Sequence, residues 1–209
     1  MPHPATAIVL ATRNKGKIAE LSAMLSGFGL TVLGLDAFPQ VGEIEETGAT
    51  FADNALLKAR AVCRLTGLTA VADDSGLEVD ALDGAPGVYS ARYAGPDATD
   101  AANNAKLLHA LAGTPDPART ARFRCVMAVC APGGATLTTD GAWEGTIARA
   151  PKGQGGFGYD PVFVDAASGS HAAELSREEK NSRSHRGHAL RRLLEAWPAF
   201  WAQAGVEPA

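Results

Sequence analysis

The sequence predicts a mixed α/β fold in one domain, and three observations carry that reading. Over the first 75 residues, apolar runs of strand length alternate with stretches of helical period, in the order strand, helix, strand, helix, strand. Later, β-branched and alternating residues over 122–131 and 135–148 flank Pro132-Gly133-Gly134 as an antiparallel hairpin, which makes the sheet mixed. At 209 residues the chain is large for one domain and small for two, and its 46% hydrophobic content buries a sizeable core without staples.

Each element has its own signal. The first strand, about residues 6 to 11, runs into the polar turn Thr12-Arg13-Asn14-Lys15-Gly16-Lys17, after which Ile18, Leu21, Met24 and Leu25 recur at helical spacing. A second strand near 30 to 35 precedes an acidic loop, Glu43-Ile44-Glu45-Glu46-Thr47-Gly48. The second helix is capped by Thr50 with Asp53 three residues on, and Phe51, Ala55, Leu56, Ala59, Val62 and Cys63 form its apolar stripe. A third strand is expected to end at Asp73-Asp74, before Ser75-Gly76.

Gly84-Ala85-Pro86-Gly87 breaks the chain, and a third helix covers about 100 to 112 with Asp97 or Thr99 as its cap. After the hairpin, 151–161 is glycine-rich, aromatic and too irregular for a regular element, so it reads as a loop held in a specific shape. Ser176 with Glu179 forms a capping box, and Ser184 caps the last helix, whose core face is Ala189, Leu190, Leu193, Leu194 and Trp197.

Composition excludes several classes. A formal net charge of -4 argues against a broad basic surface for nucleic acid. Cys63, Cys125 and Cys130 form no C-x-x-C pair and lie in apolar runs, so they read as buried thiols of a reducing compartment. The N-terminus lacks a basic n-region and a long apolar h-region, and no run of about 18 apolar residues occurs, so a cytoplasmic protein with no membrane partner is expected.

Asp73 and Asp74 at a strand end repel each other unless a cation, a proton or a donor compensates, which suggests a metal site or an acid/base site. Glu45 and Glu46 precede the second helix, and in a parallel arrangement strand ends and helix starts are neighbours, so hard oxygen ligands from both could hold Mg²⁺. Arg13, Lys15, Gly16 and Lys17 lie between a strand and a helix N-terminus, where free N–H groups favour a phosphate; the same residues also read as a solvated basic turn. Lys58 could reach back toward phosphates but reads by default as an exposed helix lysine, and Arg92 has the same ambiguity. Phe157-Gly158-Tyr159-Asp160 suits stacking on a flat ring, such as a nucleobase, or anchoring of the loop to the core. Lys180, His185 and Arg186 place three donors around the start of the last helix, where they could meet purine carbonyls or phosphate.

Read together, these segments resemble the non-standard purine NTP pyrophosphatases, the inosine triphosphate pyrophosphatase family, and most closely its bacterial dITP/XTP branch. The family's T-x-N-x-x-K opening is similar to Thr12 to Lys17, its E-E-T-G-x-T-F segment to Glu45 to Phe51, and its A-D-D-S-G-L segment to Ala72 to Leu77. Gly87 to Tyr93, Gly155 to Pro161, Glu178 to Lys180 and Ser184 to Arg186 match in the same order.

The resemblance implies an elongated central sheet flanked by helices, in a two-lobed single domain over 1–209 with the active site in the cleft. It implies Mg²⁺-dependent hydrolysis of ITP, dITP and XTP to the monophosphate and pyrophosphate, cleansing the nucleotide pool, by a homodimer. Carried over by position, Asp74 matches the catalytic base and Glu46, Asp73 and Asp74 the metal-binding acids. Thr12, Arg13, Asn14, Lys15, Gly16 and Lys17 match contacts to the triphosphate. Ser75, Phe157, Gly158, Tyr159, Asp160, Lys180, His185 and Arg186 match substrate contacts. Arg13 stands where close relatives often carry a small residue. Hypoxanthine and xanthine present a 6-keto oxygen to a donor such as His185 or Arg186, where adenine offers an amino group. Two other readings are separable by assay: a purine-nucleotide-binding regulator without turnover, and a modified-pyrimidine pyrophosphatase on a similar fold.

Overall fold

A computed structural model describes residues 7–25 and 30–205. The strands are β1 (Ala7–Leu10), β2 (Thr31–Gly34), β3 (Thr69–Val79), β4 (Thr120–Cys130), β5 (Thr136–Ile147) and β6 (Phe163–Asp165). The helices are α1 (Lys15–Leu25), α2 (Phe51–Thr66), α3 (Asp100–Ala110), α4 (Arg177–Arg183) and α5 (His185–Ala204). The strands form a six-stranded sheet in the order β2-β1-β3-β4-β5-β6. β1 is parallel to both β2 and β3, and β6 is antiparallel to β5, so the sheet is mixed as predicted. Thr6, at the predicted start of the first strand, lies outside the described residues.

The fold comprises two compact units, the first made of 1–74, 126–140 and 189–209, the second of 75–125 and 141–188. In the first, Ile8, Val9 and Leu10 are fully buried, as expected for a strand paired on both edges in a parallel arrangement. Asn14 starts α1, its Oδ1 accepting from the N–H groups of Gly16 and Lys17 at 2.9 and 3.2 Å. Thr50 caps α2 by accepting from the Asp53 N–H, and Phe51, Ala55, Ala59, Val62 and Cys63 are its buried face. From α5, Ala189, Leu190, Leu193 and Trp197 are buried as predicted, and Phe200 and Trp201 extend that face; Leu194 is only half-buried.

The third strand does not end at Asp74: β3 runs eleven residues, from Thr69 to Val79. Charge in the strand would stop it only if left uncompensated, and basic side chains compensate both acids (below). Ser75-Gly76 is therefore extended strand rather than a turn.

The second unit packs around Leu77, Val79, Leu107, Leu111, Phe123, Trp143, Tyr159, Val162 and Phe163. Phe123 meets Phe163 with ring centroids 4.6 Å apart and Trp143 at 6.0 Å. Thr99 caps α3 through the Ala102 N–H, Ser176 and Glu179 form the reciprocal capping box of α4, and Ser184 Oγ accepts from the Gly187 N–H at the start of α5. β6 was not predicted, because three residues are too short to display a period.

Candidate functional site

The first unit gathers the acids. Asp73 and Asp74 are adjacent on an extended strand and so start toward opposite faces, and both are almost fully buried, at 1% and 6% exposure. The Lys17 ammonium lies 2.9 Å from Asp73 Oδ2. Lys58 Nζ lies 2.7 Å from Glu46 Oε1 and 3.3 Å from Asp74 Oδ1, so one cation bridges the acidic loop and the strand. Asn54 ties the same two segments: its amide donates to Asp74 Oδ2 at 3.2 Å, and its Oδ1 accepts from the Gly48 N–H at 2.7 Å. A Cβ at 48 would stand 2.6 Å from both that Asn54 oxygen and Asp53 Cβ, so any other side chain there forces α2 or the loop to shift.

These contacts set the protonation. Burial pushes the Asp74 carboxyl above the ordinary carboxylate range; Lys58, Lys17 and the Asn54 hydrogen bond pull it back without cancelling the rise, and Glu46 adds to it. Burial alone would lower Lys58, yet Asp74, Asp73 and Glu46 outweigh it and hold the ammonium above its usual value. A carboxylate offers about four lone-pair sites, and the two bonds from Asn54 and Lys58 leave Asp74 capacity to accept from a water.

Lys58 is thus not the exposed lysine the default reading expects: it is 8% exposed. It lies seven residues after Phe51 and three after Ala55, on the apolar stripe, and that spacing was the available signal. Asn54 was missed altogether, although it lies one turn before Lys58 and shares its face. Among the described residues, no group of three or more His, Cys, Asp or Glu side chains converges as a metal cage. Glu46 and Asp74, sharing one cation, are nonetheless hard oxygen donors that fit Mg²⁺, which is usually held by one or two carboxylates plus waters and phosphate.

The predicted phosphate turn is partly engaged. Asn14 uses the amides of Gly16 and Lys17, and Asn14 N–H donates to Thr12 Oγ1 at 3.1 Å. Arg13 donates to the Val41 carbonyl at 2.6 Å and lies 3.7 Å from Asp36, while Lys15 is exposed.

The second unit gathers Phe157, Asp160, Lys180, Arg186 and Ser75. Lys180 Nζ donates to Asp160 Oδ2 at 2.6 Å and stands 4.7 Å from the Phe157 ring centroid; the Arg186 guanidinium stands 5.6 Å from the same ring. Arg186 also donates to Ser75 Oγ at 3.1 Å, and both cations are more than nine-tenths buried. Asp160 Oδ2 accepts from the Phe157 N–H at 2.9 Å, which folds the glycine-rich loop back on itself. Tyr159 is buried and donates to the Ser90 carbonyl at 2.9 Å, so it anchors the loop to the core. The His185 ring stacks on Phe123, with centroids 4.8 Å apart and planes at 14°. Arg92 is exposed, over the Tyr89 ring at 5.2 Å.

The Ham1 family model matches residues 8–196. The chain is 68% identical over 200 residues to the dITP/XTP pyrophosphatase of Nitratidesulfovibrio vulgaris, covering 93% of this chain and 97% of that protein. It is 55% identical over 190 residues to the dITP/XTP pyrophosphatase of Geobacter sulfurreducens, covering 91% and 96%. Among solved structures, a HAM1 protein from Coxiella burnetii matches with a TM-score of 0.85 at 46% identity, covering 93% of this chain and 99% of that one.

Proposed function

We propose, from the premise that this chain belongs to the Ham1 family, that it is a nucleoside triphosphate pyrophosphatase acting on dITP, XTP and ITP. It releases pyrophosphate and the monophosphate, and so removes non-standard purines from the nucleotide pool. The observation that carries the reading is Asp74: a buried carboxylate steadied by Asn54 and Lys58 beside Glu46, with lone pairs to spare for a water.

In this reading Asp74, held by Asn54 and Lys58, orients a water and takes its proton as the general base. Glu46 and Asp74 would hold Mg²⁺, with Asp73 as the supporting acid that fixes Lys17. When bound, the ion neutralises the triphosphate and the charge that builds on it. Thr12, Arg13, Asn14, Lys15, Gly16 and Lys17 contact the triphosphate, with Lys17 the most buried of its cations.

For the base, Phe157 provides a face for stacking, with Gly158, Tyr159 and Asp160 shaping its loop. Lys180, His185 and Arg186 supply buried donors, with Ser75 hydrogen-bonded to Arg186. Adenine would leave such a donor unpaired, at a cost of roughly 1 to 3 kcal/mol. No helix among the described residues is long and apolar enough to cross a membrane. As the resemblance implies, we read the enzyme as a homodimer, which sedimentation tests, acting in the cytoplasm, which fractionation of cells tests.

The test of the activity is product analysis. Purified protein with ITP and Mg²⁺ is expected to yield inosine monophosphate and pyrophosphate in equal amounts. Orthophosphate release, or no turnover of ITP, dITP or XTP, overturns the reading.

A further inference from the structure

The loop that carries Phe157 is held by a helix that none of the motifs above includes. Gly158 adopts φ +63°, a backbone setting that side chains rarely take. Its N–H donates to Asp100 Oδ2 at 2.6 Å, and its carbonyl accepts from Asn104 Nδ2 at 3.0 Å. Asp100 and Asn104 are four residues apart on α3, hence one above the other on a single face. Both polar groups of one glycine are thus taken by one helix.

Neither side chain caps the helix. The cap of α3 is Thr99, whose hydroxyl accepts from the Ala102 N–H, so Asp100 is not needed to start the helix. Asn104 is 8% exposed, is a poor helix former, and leaves its Oδ1 buried without a hydrogen-bond partner among the described residues. An apolar residue would fill that position at lower cost. The bond to the Gly158 carbonyl is what the amide supplies there.

The consequence falls on Phe157. Its own N–H is fixed by Asp160, and the next peptide N–H is fixed by Asp100, so the backbone on both sides of Phe157 is restrained. The neighbouring Asn103 braces a second segment in the same way, accepting from the Ala94 N–H at 2.7 Å and donating to the Ala91 carbonyl at 3.1 Å. Tyr159 reaches that region too, through the Ser90 carbonyl.

We propose that Asp100 and Asn104 are positioning residues for base recognition: by clamping Gly158 they hold the Phe157 ring at the setting on which a purine stacks. This rests on the proposed function for the identity of the ligand. The clamp acts before any chemistry, so its loss should weaken binding of the base and leave the hydrolytic step alone.

The experiment compares wild type, Asp100→Ala, Asp100→Asn, Asn104→Ala and Gly158→Ala. Steady-state ITP hydrolysis is measured with Mg²⁺, and inosine monophosphate binding by calorimetry. Asp100→Ala and Asn104→Ala are expected to raise KM for ITP, and the Kd for inosine monophosphate, by about tenfold, the scale of one stacked base, with kcat within about twofold. Asp100→Asn keeps an acceptor for the Gly158 N–H and should stay close to wild type, which a general loss of fold would not allow. Gly158→Ala meets no atom within 4 Å and strains only the backbone, so it should raise KM without touching either helix residue.

Unchanged KM and Kd in Asp100→Ala and Asn104→Ala, or a fall in kcat with KM retained, overturns the clamp. If either Ala variant fails to fold, Asp100→Asn against Gly158→Ala decides: a Gly158→Ala protein with wild-type KM and Kd overturns it. A wild type that binds inosine monophosphate without hydrolysing ITP overturns the hydrolase reading instead, and the Kd series then decides the clamp by itself.

Discussion

In the first unit Asp73 and Asp74 are buried side by side in β3, and lysines from α1 and α2 meet them at 2.9 and 3.3 Å. In the second unit Lys180 and Arg186 are just as buried, but the surface they share is the ring of Phe157, with Asp160 and Ser75 as their polar partners. The first arrangement concentrates charge that can be redistributed when an anion and a divalent cation arrive. The second presents oriented donors and a flat face, which suits discrimination more than chemistry. A substitution in the first cluster should therefore be read in kcat, and one in the second in KM.

The sharpest way to break this comparison is Asp74→Asn. The amide keeps size and a hydrogen-bonding oxygen but cannot take a proton, so kcat should fall by about 10²- to 10⁴-fold. Retention of more than about a tenth of the wild-type value would remove Asp74 as the base. Next in size is Lys58→Met, which leaves Glu46 and Asp74 facing each other without their shared cation. Metal-free stability should drop by about 3 kcal/mol in denaturant unfolding, and Mg²⁺ should restore part of it. A loss indifferent to Mg²⁺ would separate those acids from metal binding.

Asp165 sharpens the contrast from within the second unit. Burial would raise it as it raises Asp74, but bonds from Ser168, Trp143, Arg183 and the Ala167 N–H outweigh burial and bring its pKa down to about 2. A carboxyl depressed on folding contributes stability above its unfolded pKa and loses it as pH falls through the folded value. Between about pH 4 and 2 wild type should lose about 2 kcal/mol more than Asp165→Asn in urea unfolding. Parallel pH profiles for the two would remove Asp165 as an acid-sensitive brace. The smallest effect expected is for Phe157→Ala, an increase of about tenfold in KM for ITP with kcat held near wild type.

The caps at Thr50, Ser176, Glu179 and Ser184 were legible because each is made by residues three apart, so sequence spacing contains the whole interaction. The same holds for the parallel core of β1, whose apolar run needs no partner to be recognised. The length of β3 was not legible: Asp73 and Asp74 read as a stop until Lys17 and Lys58, distant in sequence, are seen to compensate them. Asn54 and Lys58 stand on the apolar face of α2, a local signal of burial, but the partner that makes burial of an amide and a cation favourable is Asp74, some sixteen to twenty residues on. Asp100 and Asn104 left no local trace, because their partner Gly158 lies more than fifty residues away.

The central claim, that the acids of the first unit perform the hydrolysis while the Phe157 cluster of the second reads the base, is tested most directly by steady-state ITP hydrolysis with Mg²⁺ and pyrophosphate detection on wild type, Asp74→Asn and Phe157→Ala. The account predicts a fall confined to kcat in Asp74→Asn and a rise confined to KM in Phe157→Ala. If both variants changed the same parameter, or if Asp74→Asn raised KM while keeping kcat, the division of labour would be contradicted.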